Sequence, residues 1–310
     1  MTLPRKAASG GLSVVLLCLC VGCAGPRPRP AEPAGDRQVA QASSAARLAY
    51  ELGEYEQART LYRRALTRAQ AIDAADLAAD AAFNLAMSEI GLQRYEAADE
   101  LLLQAEYDAA RASSGTIEIR LLRAKVAYLR GRLPEARALA DEVLAAQAPP
   151  RSQLQARILR GQMFCDTGDL ASAKAELRSI ESRAADPQLT PSVRADVAKL
   201  QGTVARMEAN REAAARLFDT EAQLLRSAHR YRDMGYAYAR AAEAHLAAGR
   251  PALAADRFFL AARSLKGLGD LDTARGFAES GLSAAEKAGD AAARARARLL
   301  LEEIARGAGP

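Results

Sequence analysis

A small residue recurs about every 40 residues along most of the chain. Aligning Ala58 with the later segments that resemble its surroundings gives five more alanines, separated by 40, 38, 37, 41 and 40 residues: Ala98, Ala136, Ala173, Ala214 and Ala254. A seventh copy would place Arg294 at this position. A fixed period of this length indicates similar structural units that bury their apolar faces against their neighbours. The repeat therefore predicts an extended array rather than one compact core.

Three further positions keep the same period. Twelve residues before each alanine the residue is always small: Ala46, Ala86, Ala124, Gly161, Gly202 and Ala242. The position five residues before each alanine is suited to a turn and is occupied by Gly53, Gln93, Gly131, Gly168, Ala209 and Gly249. Four residues after it the side chain is mostly bulky: Tyr62, Leu102, Ala140, Leu177, Phe218 and Phe258. Small residues on two successive segments allow two helices to approach closely. The pattern predicts a helix pair in each repeat.

The composition favours helices throughout. About a quarter of the residues are alanine, tryptophan is absent, and β-branched residues are scarce. No proline occurs from Ala34 to Leu133, and later prolines fall where the apolar periodicity breaks. We predict an all-α fold over residues 37–307, with fourteen helices in about seven antiparallel pairs. The segment 187–191 marks a longer connection, either a hinge between two halves or an ordinary surface loop.

The six aligned copies resemble the tetratricopeptide repeat (TPR), a helix–turn–helix unit with small residues at its eighth and twentieth positions. The period near 40 instead of 34 resembles the longer-helix members, and the tryptophan expected at the fourth position is absent. The resemblance implies a right-handed α-solenoid whose groove is lined by the first helix of each pair. Arg294 and Arg298 occupy core positions of the seventh copy, as expected for a terminal helix with a charged outer face. The groove positions include Arg47, Phe83, Asn84, Met87, Lys125, Gln162, Lys199, Thr203, Tyr236 and Arg240.

The N-terminus has the pattern of a secretory signal. Arg5 and Lys6 precede the largely apolar run 10–22, whose thirteen residues carry no charge and are too few to span a bilayer as a helix. The run from Cys20 to Cys23 resembles the lipobox of bacterial lipoproteins, which implies a signal peptide at 1–22 and a lipid on Cys23. A buried N-terminal helix is the alternative.

The residues after Cys23 favour a position at the cell envelope. Ala24 resembles the outer-membrane sorting signal of Gram-negative lipoproteins, which implies the periplasmic face of the outer membrane. Four prolines and few apolar residues predict that residues 23–36 form an extended tether.

The sequence offers no recognised constellation for catalysis. It lacks a P-loop, a dinucleotide-binding glycine motif, a His-Glu-x-x-His motif and a nucleophile elbow. Cys165 is best interpreted as a buried structural thiol, and His229 and His245 as surface or packing residues. We predict no catalytic residues, no metal site and no cofactor. With 43 basic and 38 acidic residues, the charge is too balanced to require nucleic acid.

Three classes of function remain to be compared. The leading hypothesis is a lipid-anchored periplasmic scaffold or adaptor that binds envelope proteins through its groove. The alternative is a solenoid that senses a ligand or peptide, and an enzyme is the least favoured class. Tyr236 and Arg240 lie in a segment that mixes aromatic and basic residues, so they either bind a partner or serve packing. The partner's identity and the oligomeric state stay open.

Overall fold

The computed structural model describes residues 34–184 and 186–307. Within these ranges there are fourteen α-helices and no strand, so the predicted all-α fold is confirmed. Residues 1–33, which include the signal peptide, Cys23 and most of the tether, lie outside the described part. The helices are α1 (Ala34–Glu51), α2 (Tyr55–Ala71), α3 (Ala75–Gly91), α4 (Tyr95–Arg111), α5 (Ile117–Leu129), α6 (Leu133–Ala145), α7 (Pro150–Asp166), α8 (Leu170–Ala184), α9 (Pro191–Met207), α10 (Arg211–Ser227), α11 (Tyr231–Ala247), α12 (Pro251–Gly267), α13 (Leu271–Ala288) and α14 (Ala291–Gly307).

The helices form seven sequential pairs, from α1 with α2 to α13 with α14. Members of a pair are joined by turns of a few residues and pack against each other, which makes them antiparallel. Each pair also packs against the next along the chain. α1 begins at Ala34, directly after Pro33, so residues 34–36 are helical rather than part of an extended tether. Among the described residues, no helix is both long and apolar enough to cross a membrane.

The recurring small residues lie at close contacts between helices, both within a pair and between neighbouring pairs. All six aligned alanines, from Ala58 to Ala254, have no solvent-exposed surface. At Gly202 a β-carbon would lie 2.7 Å from the ring of Phe218, which occupies the bulky position of the same repeat. At Gly161 a β-carbon would lie 2.6 Å from a methyl group of Leu200. Ordinary carbon–carbon contacts are about 3.5–4.0 Å. A β-carbon at either position would therefore require a neighbouring atom to shift.

The predicted turn position has a left-handed backbone in all six repeats. Gly53 has a φ of +80°, and the non-glycine residues Gln93 and Ala209 have φ values of +61° and +58°. The amide of Glu54 donates a hydrogen bond of 2.9 Å to the carbonyl of Ala49, which closes the end of α1. A left-handed residue at the helix end reverses the chain within a few residues and starts the second helix.

Polar side chains link corresponding positions of adjacent repeats. Three of these links join residues 38 positions apart, each at 2.6 Å: Arg94 with Glu56, Tyr128 with Asp166, and Arg257 with Asp219. A separation close to the repeat length means that equivalent surfaces of neighbouring pairs face each other.

The last helix departs from the predicted register. Its buried face consists of Ala293, Ala297, Leu300 and Ile304, while Arg294 is half-buried and Arg298 is exposed. The buried face thus starts one residue earlier than in the other second helices. Burying an arginine without a partner is costly, so α14 packs through the adjacent alanine face and leaves the arginines outside.

The connection between α8 and α9 is a short loop with its own hydrogen bonds. The amide of Gln188 donates to Oδ1 of Asp186 at 2.8 Å, and the amide of Leu189 donates to the carbonyl of Asp186 at 3.2 Å. These bonds fit an ordinary surface loop. A hinge at this place stays a prediction.

Candidate partner-binding groove

Charged side chains from the third, fifth and sixth repeats lie within electrostatic range of one another on one face of the array. Lys125 of α5 is within electrostatic range of Asp196 on α9 and of Arg230 and Asp233 at the start of α11. Residues so far apart in an array of pairs approach each other only on the inner side of its curve. We call this surface the concave groove, formed by Lys125, Asp196, Lys199, Arg230, Asp233 and Arg240.

Arg230 joins α9 to the start of α11. Its guanidinium donates to Asp233 at 2.8 Å, to Ser192 at 2.8 Å and to Asp196 at 3.3 Å. Burial alone would lower the pKa of Arg230, but the two carboxylates raise it above its ordinary value. Burial would likewise raise the pKa of Asp233, yet Arg230, Lys125 and Lys199 hold it below its usual range. Asp233 and Arg230 are therefore both charged and mutually paired.

Arg240 joins α11 to α10. It donates to Glu221 at 2.5 Å, and its guanidinium lies 5.9 Å from the ring centre of Phe218. Glu221 is only 3% exposed, and this burial raises its pKa in spite of the opposing charges of Arg240 and Lys199. Arg240 thus compensates a buried carboxylate, which is a structural task.

Lys125 and Lys199 differ from these arginines. Among residues 34–184 and 186–307, neither lysine has a carboxylate within 4.0 Å, since Asp196 and Asp233 pair with Arg230 and Glu221 pairs with Arg240. Both lysines are half-buried. Desolvation lowers the pKa of each, and the effect is reinforced by Arg230 for Lys125 and by Arg240 for Lys199. The groove therefore contains two cations that its own carboxylates do not pair.

Three tyrosines from the first two repeats lie near the concave groove and form what we call its rim. Tyr50 lies at the end of α1, while Tyr55 and Tyr95 begin α2 and α4. Burial raises the pKa of all three, and the charge of Asp233 raises it further. The rings of Tyr50 and Tyr55 are 5.3 Å apart. The array thus curves far enough for the first repeats to face the start of α11.

The other predicted groove residues contribute less to this cluster. Asn84 donates to the carbonyl of Asp80 at 2.8 Å, and Thr203 donates to the carbonyl of Lys199 at 2.8 Å, so both are engaged with their own helix. Tyr236 packs edge-on against Phe277 at 6.2 Å. Of the rest, Phe83 and Met87 pack against the core, Gln162 is half-buried, and Arg47 is exposed.

Selecting groove residues by their position on the first helix of each pair missed Arg230, Asp233 and Glu221. Arg230 precedes α11 and Glu221 lies on a second helix, so neither occupies a first-helix groove position. The sequence did contain a signal for the first two, because Arg230 and Asp233 are three residues apart at a helix start, where an arginine and an aspartate readily pair.

Cys165 and the two histidines lie outside the concave groove's charge network. Burial raises the pKa of the half-buried Cys165 to about 11. His245 is buried and lies 3.1 Å from Asp219, while the exposed His229 lies 2.8 Å from the Tyr231 hydroxyl. In the described part of the chain, no cluster of three or more metal-ligating side chains occurs.

Comparisons with known proteins gave structural matches only. No family model and no curated protein matches the chain. The chain is similar to a tetratricopeptide repeat protein from Parabacteroides merdae, with 13% identity over 87% of this chain and 99% of that one, at a TM-score of 0.46. It is also similar to the apo form of the quorum sensor NprR from B. thuringiensis, with 13% identity over 88% and 70% of the two chains, at a TM-score of 0.49.

A third similar structure is a signal transduction ATPase with a tetratricopeptide repeat sensor from Pyrococcus horikoshii. It is 12% identical over 82% of this chain and 43% of that one, at a TM-score of 0.48. The structure itself carries the assignment of the fold: buried small residues at two fixed positions and left-handed turns repeat through its helix pairs. The described residues form a fourteen-helix solenoid of the TPR type.

Proposed function

We propose that the protein is a scaffold or adaptor that binds a segment of a protein partner in the concave groove. The observation that carries this proposal is a pair of lysines, Lys125 and Lys199, that have no carboxylate partner in the described part of the chain, in a groove where the arginines are paired. If this surface contributed only to stability, the folded protein would be more stable with such charges paired or removed. Binding sites, in contrast, often keep groups whose interactions are completed by a partner.

The character of the groove also favours a polypeptide over a small apolar ligand. The side chains that meet there are charged, whereas pockets for small molecules are mostly apolar. The groove carboxylates are bound to arginines, with Asp196 and Asp233 on Arg230 and Glu221 on Arg240. These pairings favour recognition over acid–base chemistry, so the ligand-sensing alternative and an enzymatic role are less well supported.

We further propose that the protein acts at the periplasmic face of the outer membrane, held by a lipid on Cys23. The support is the apolar run, the lipobox-like Cys20–Cys23 segment and the proline-rich residues that follow. A tether of this kind would keep the groove accessible to envelope proteins near the membrane.

Site-specific photo-crosslinking tests the groove. A photoreactive residue at Gln162, which lies on α7 at the position equivalent to Lys125, should crosslink a defined partner after detergent solubilisation. The matched control is the same residue at Tyr107, which is exposed on the second helix α4. Crosslinking from position 107 but not from 162 would refute binding through the groove.

The choice of variants matters because some groove residues are structural. Replacing Asn84, Lys125 and Arg240 together by alanine suggests itself from the sequence, with little expected loss of stability. The structure contradicts that expectation for Arg240, since its removal leaves the buried Glu221 without the cation that it pairs with, and such losses cost about 3–5 kcal/mol. Crosslinking avoids this confusion because it leaves the charge network intact.

Metabolic labelling with a radioactive fatty acid tests the anchor. The wild-type protein should incorporate the label, and Cys23→Ala should not. Cys20→Ala is the control, because this residue lies in the segment predicted to be cleaved off. Incorporation that persists in Cys23→Ala would disprove the assignment.

A further inference from the structure

The chain uses lysine sparingly, and this makes the groove lysines distinctive. The sequence has six lysines among its 43 basic residues, and five of the six lie in the described part. Lys174 pairs with Glu208 at 2.5 Å and Lys266 pairs with Glu303 at 2.6 Å. The remaining three are Lys125, Lys199 and the exposed Lys287.

The two groove lysines flank one network of charges. Asp233 is within electrostatic range of both Lys125 and Lys199, and so is Asp196. Both carboxylates nevertheless accept their hydrogen bonds from Arg230. Among the described residues, the two ammonium groups act on this network through their charge but make no hydrogen bond to it, so each retains three N–H donors for another acceptor.

We propose that Lys125 and Lys199 bind carboxylate groups of an acidic peptide segment of a protein partner. This inference rests on the proposed function, because it assigns the chemistry of the segment that lies in the concave groove. Carboxylate is the complementary group, since charge-assisted hydrogen bonds to a carboxylate are about twice as strong as neutral ones. The partly desolvated setting strengthens them further.

The alternation of charges in the groove distinguishes a peptide from a continuous polyanion. Asp196, Asp233 and Glu221 lie among the cations and would repel a uniformly charged phosphate backbone. A peptide can place an acidic side chain at each lysine and neutral residues opposite the carboxylates. The chain's own segment 24–33 does not fit, because it carries Arg27 and Arg29 and only one acidic residue.

Binding of defined peptides to the purified full-length protein in detergent tests the inference. The probes are three fluorescent 12-residue peptides of the same length, built from alanine with glutamate, glutamine or lysine. The glutamate peptide should bind more tightly than the other two, and its affinity should fall with added salt. Equal affinity for the glutamate and glutamine peptides would overturn the inference.

A double variant with a matched control assigns the residues. Lys125→Met/Lys199→Met should weaken binding of the glutamate peptide roughly tenfold or more, as expected for the loss of hydrogen bonds to charged groups. Lys174→Met/Lys287→Met makes the same change in net charge and should leave binding unchanged. Equal weakening in both variants would mean that net charge alone attracts the peptide, and it would overturn the assignment.

Thermal stability separates binding from a structural role. Lys125→Met/Lys199→Met should melt no lower than the wild type, because it removes two partly desolvated charges that lack carboxylate partners. A clearly lower melting temperature would show that the lysines hold the fold together, against the inference. Inorganic phosphate that binds with the same dependence on both lysines, while no peptide binds, would indicate a small-anion site and overturn the peptide assignment.

This inference and the proposed function can fail separately. Position 162 can crosslink a partner whose segment is neutral or basic and binds the lysine variants as well as the wild type. In that case the groove function stands and the acidic segment is wrong. If crosslinks form only from Tyr107, the groove function fails as well.

Discussion

Adding one methyl group at Gly202 tests the helix packing that defines the repeat. The new β-carbon would lie 2.7, 2.9 and 3.2 Å from three atoms of the Phe218 ring. Phe218 is completely buried and packs against Ala241 and Ala244 of the next repeat, so its ring has little room to move. Relieving a contact almost 1 Å too short requires the ring or the α9 backbone to shift. Such overpacking typically costs about 1–3 kcal/mol.

Gly276 provides a matched control for this change. It is also inside a helix, α13, but it is exposed and a β-carbon there would meet no atom within 4 Å. Alanine is favoured over glycine in a helix by about 1 kcal/mol. Gly276→Ala should therefore stabilise the protein. Gly202→Ala gains the same helix propensity but also overpacks the core, so it should be about 1–3 kcal/mol less stable than Gly276→Ala.

The assay is urea denaturation followed by helix circular dichroism, with the midpoint compared between variants. A second variant, Gly202→Ala/Phe218→Leu, should lose less stability than the sum of the two single changes, since the smaller side chain leaves room for the methyl group. Equal midpoints for Gly202→Ala and Gly276→Ala would refute the packing argument. Strict additivity in the double variant would show that Phe218 is not the residue in the way.

Three further predictions follow from local features. Ala209→Gly should stabilise the protein by about 1 kcal/mol, because alanine is strained at a φ of +58°; an unchanged urea midpoint would contradict this. Burial favours the neutral form of Glu106, but hydrogen bonds from Arg120 and Arg123 outweigh it and lower its pKa. The stability from charged Glu106 is present above the unfolded pKa of about 4.3 and is lost as the pH falls through the lower folded pKa. Glu106→Gln should therefore lose less stability than the wild type between pH 6 and pH 3, and parallel losses in urea midpoints would argue against the pairing. Because burial raises the pKa of Cys165 to about 11, its thiol should react with iodoacetamide at pH 8 far more slowly than free cysteine, as measured by mass spectrometry, and equal rates would exclude this environment.

The fold was largely predictable because its determinants are local and repeated. A residue that must be small, such as Gly202, and a residue that must accept a left-handed backbone, such as Gly53, are recognisable from residue type alone once six copies are aligned. The α14 register was not predictable in this way. There the turn at Gly289 keeps its place, but the buried face begins at Ala293, because the repeat position itself carries Arg294.

The candidate site was only partly predictable. Lys125 and Lys199 follow from their positions on first helices, but this selection by position does not show whether a side chain is free to bind. Asn84 is engaged with the carbonyl four residues before it. The approach of the first repeats to α11 depends on small rotations that accumulate from pair to pair. The accumulated rotation cannot be read from the sequence of any one repeat, so the role of Tyr50 at the rim could not be predicted.

The groove separates two tasks between two kinds of basic residue. Arginine presents several donors in a fixed plane and suits a permanent pair with a carboxylate, as Arg230 does with Asp196 and Asp233, and Arg240 does with Glu221. Lysine carries a compact charge on a flexible stem, so it adjusts more readily to an incoming group. The paired arginines link the start of α11 to α9 and the middle of α11 to α10. Within the described ranges, Lys125 and Lys199 belong to neither of these pairings, and under the proposed function theirs are the charges that a partner would meet.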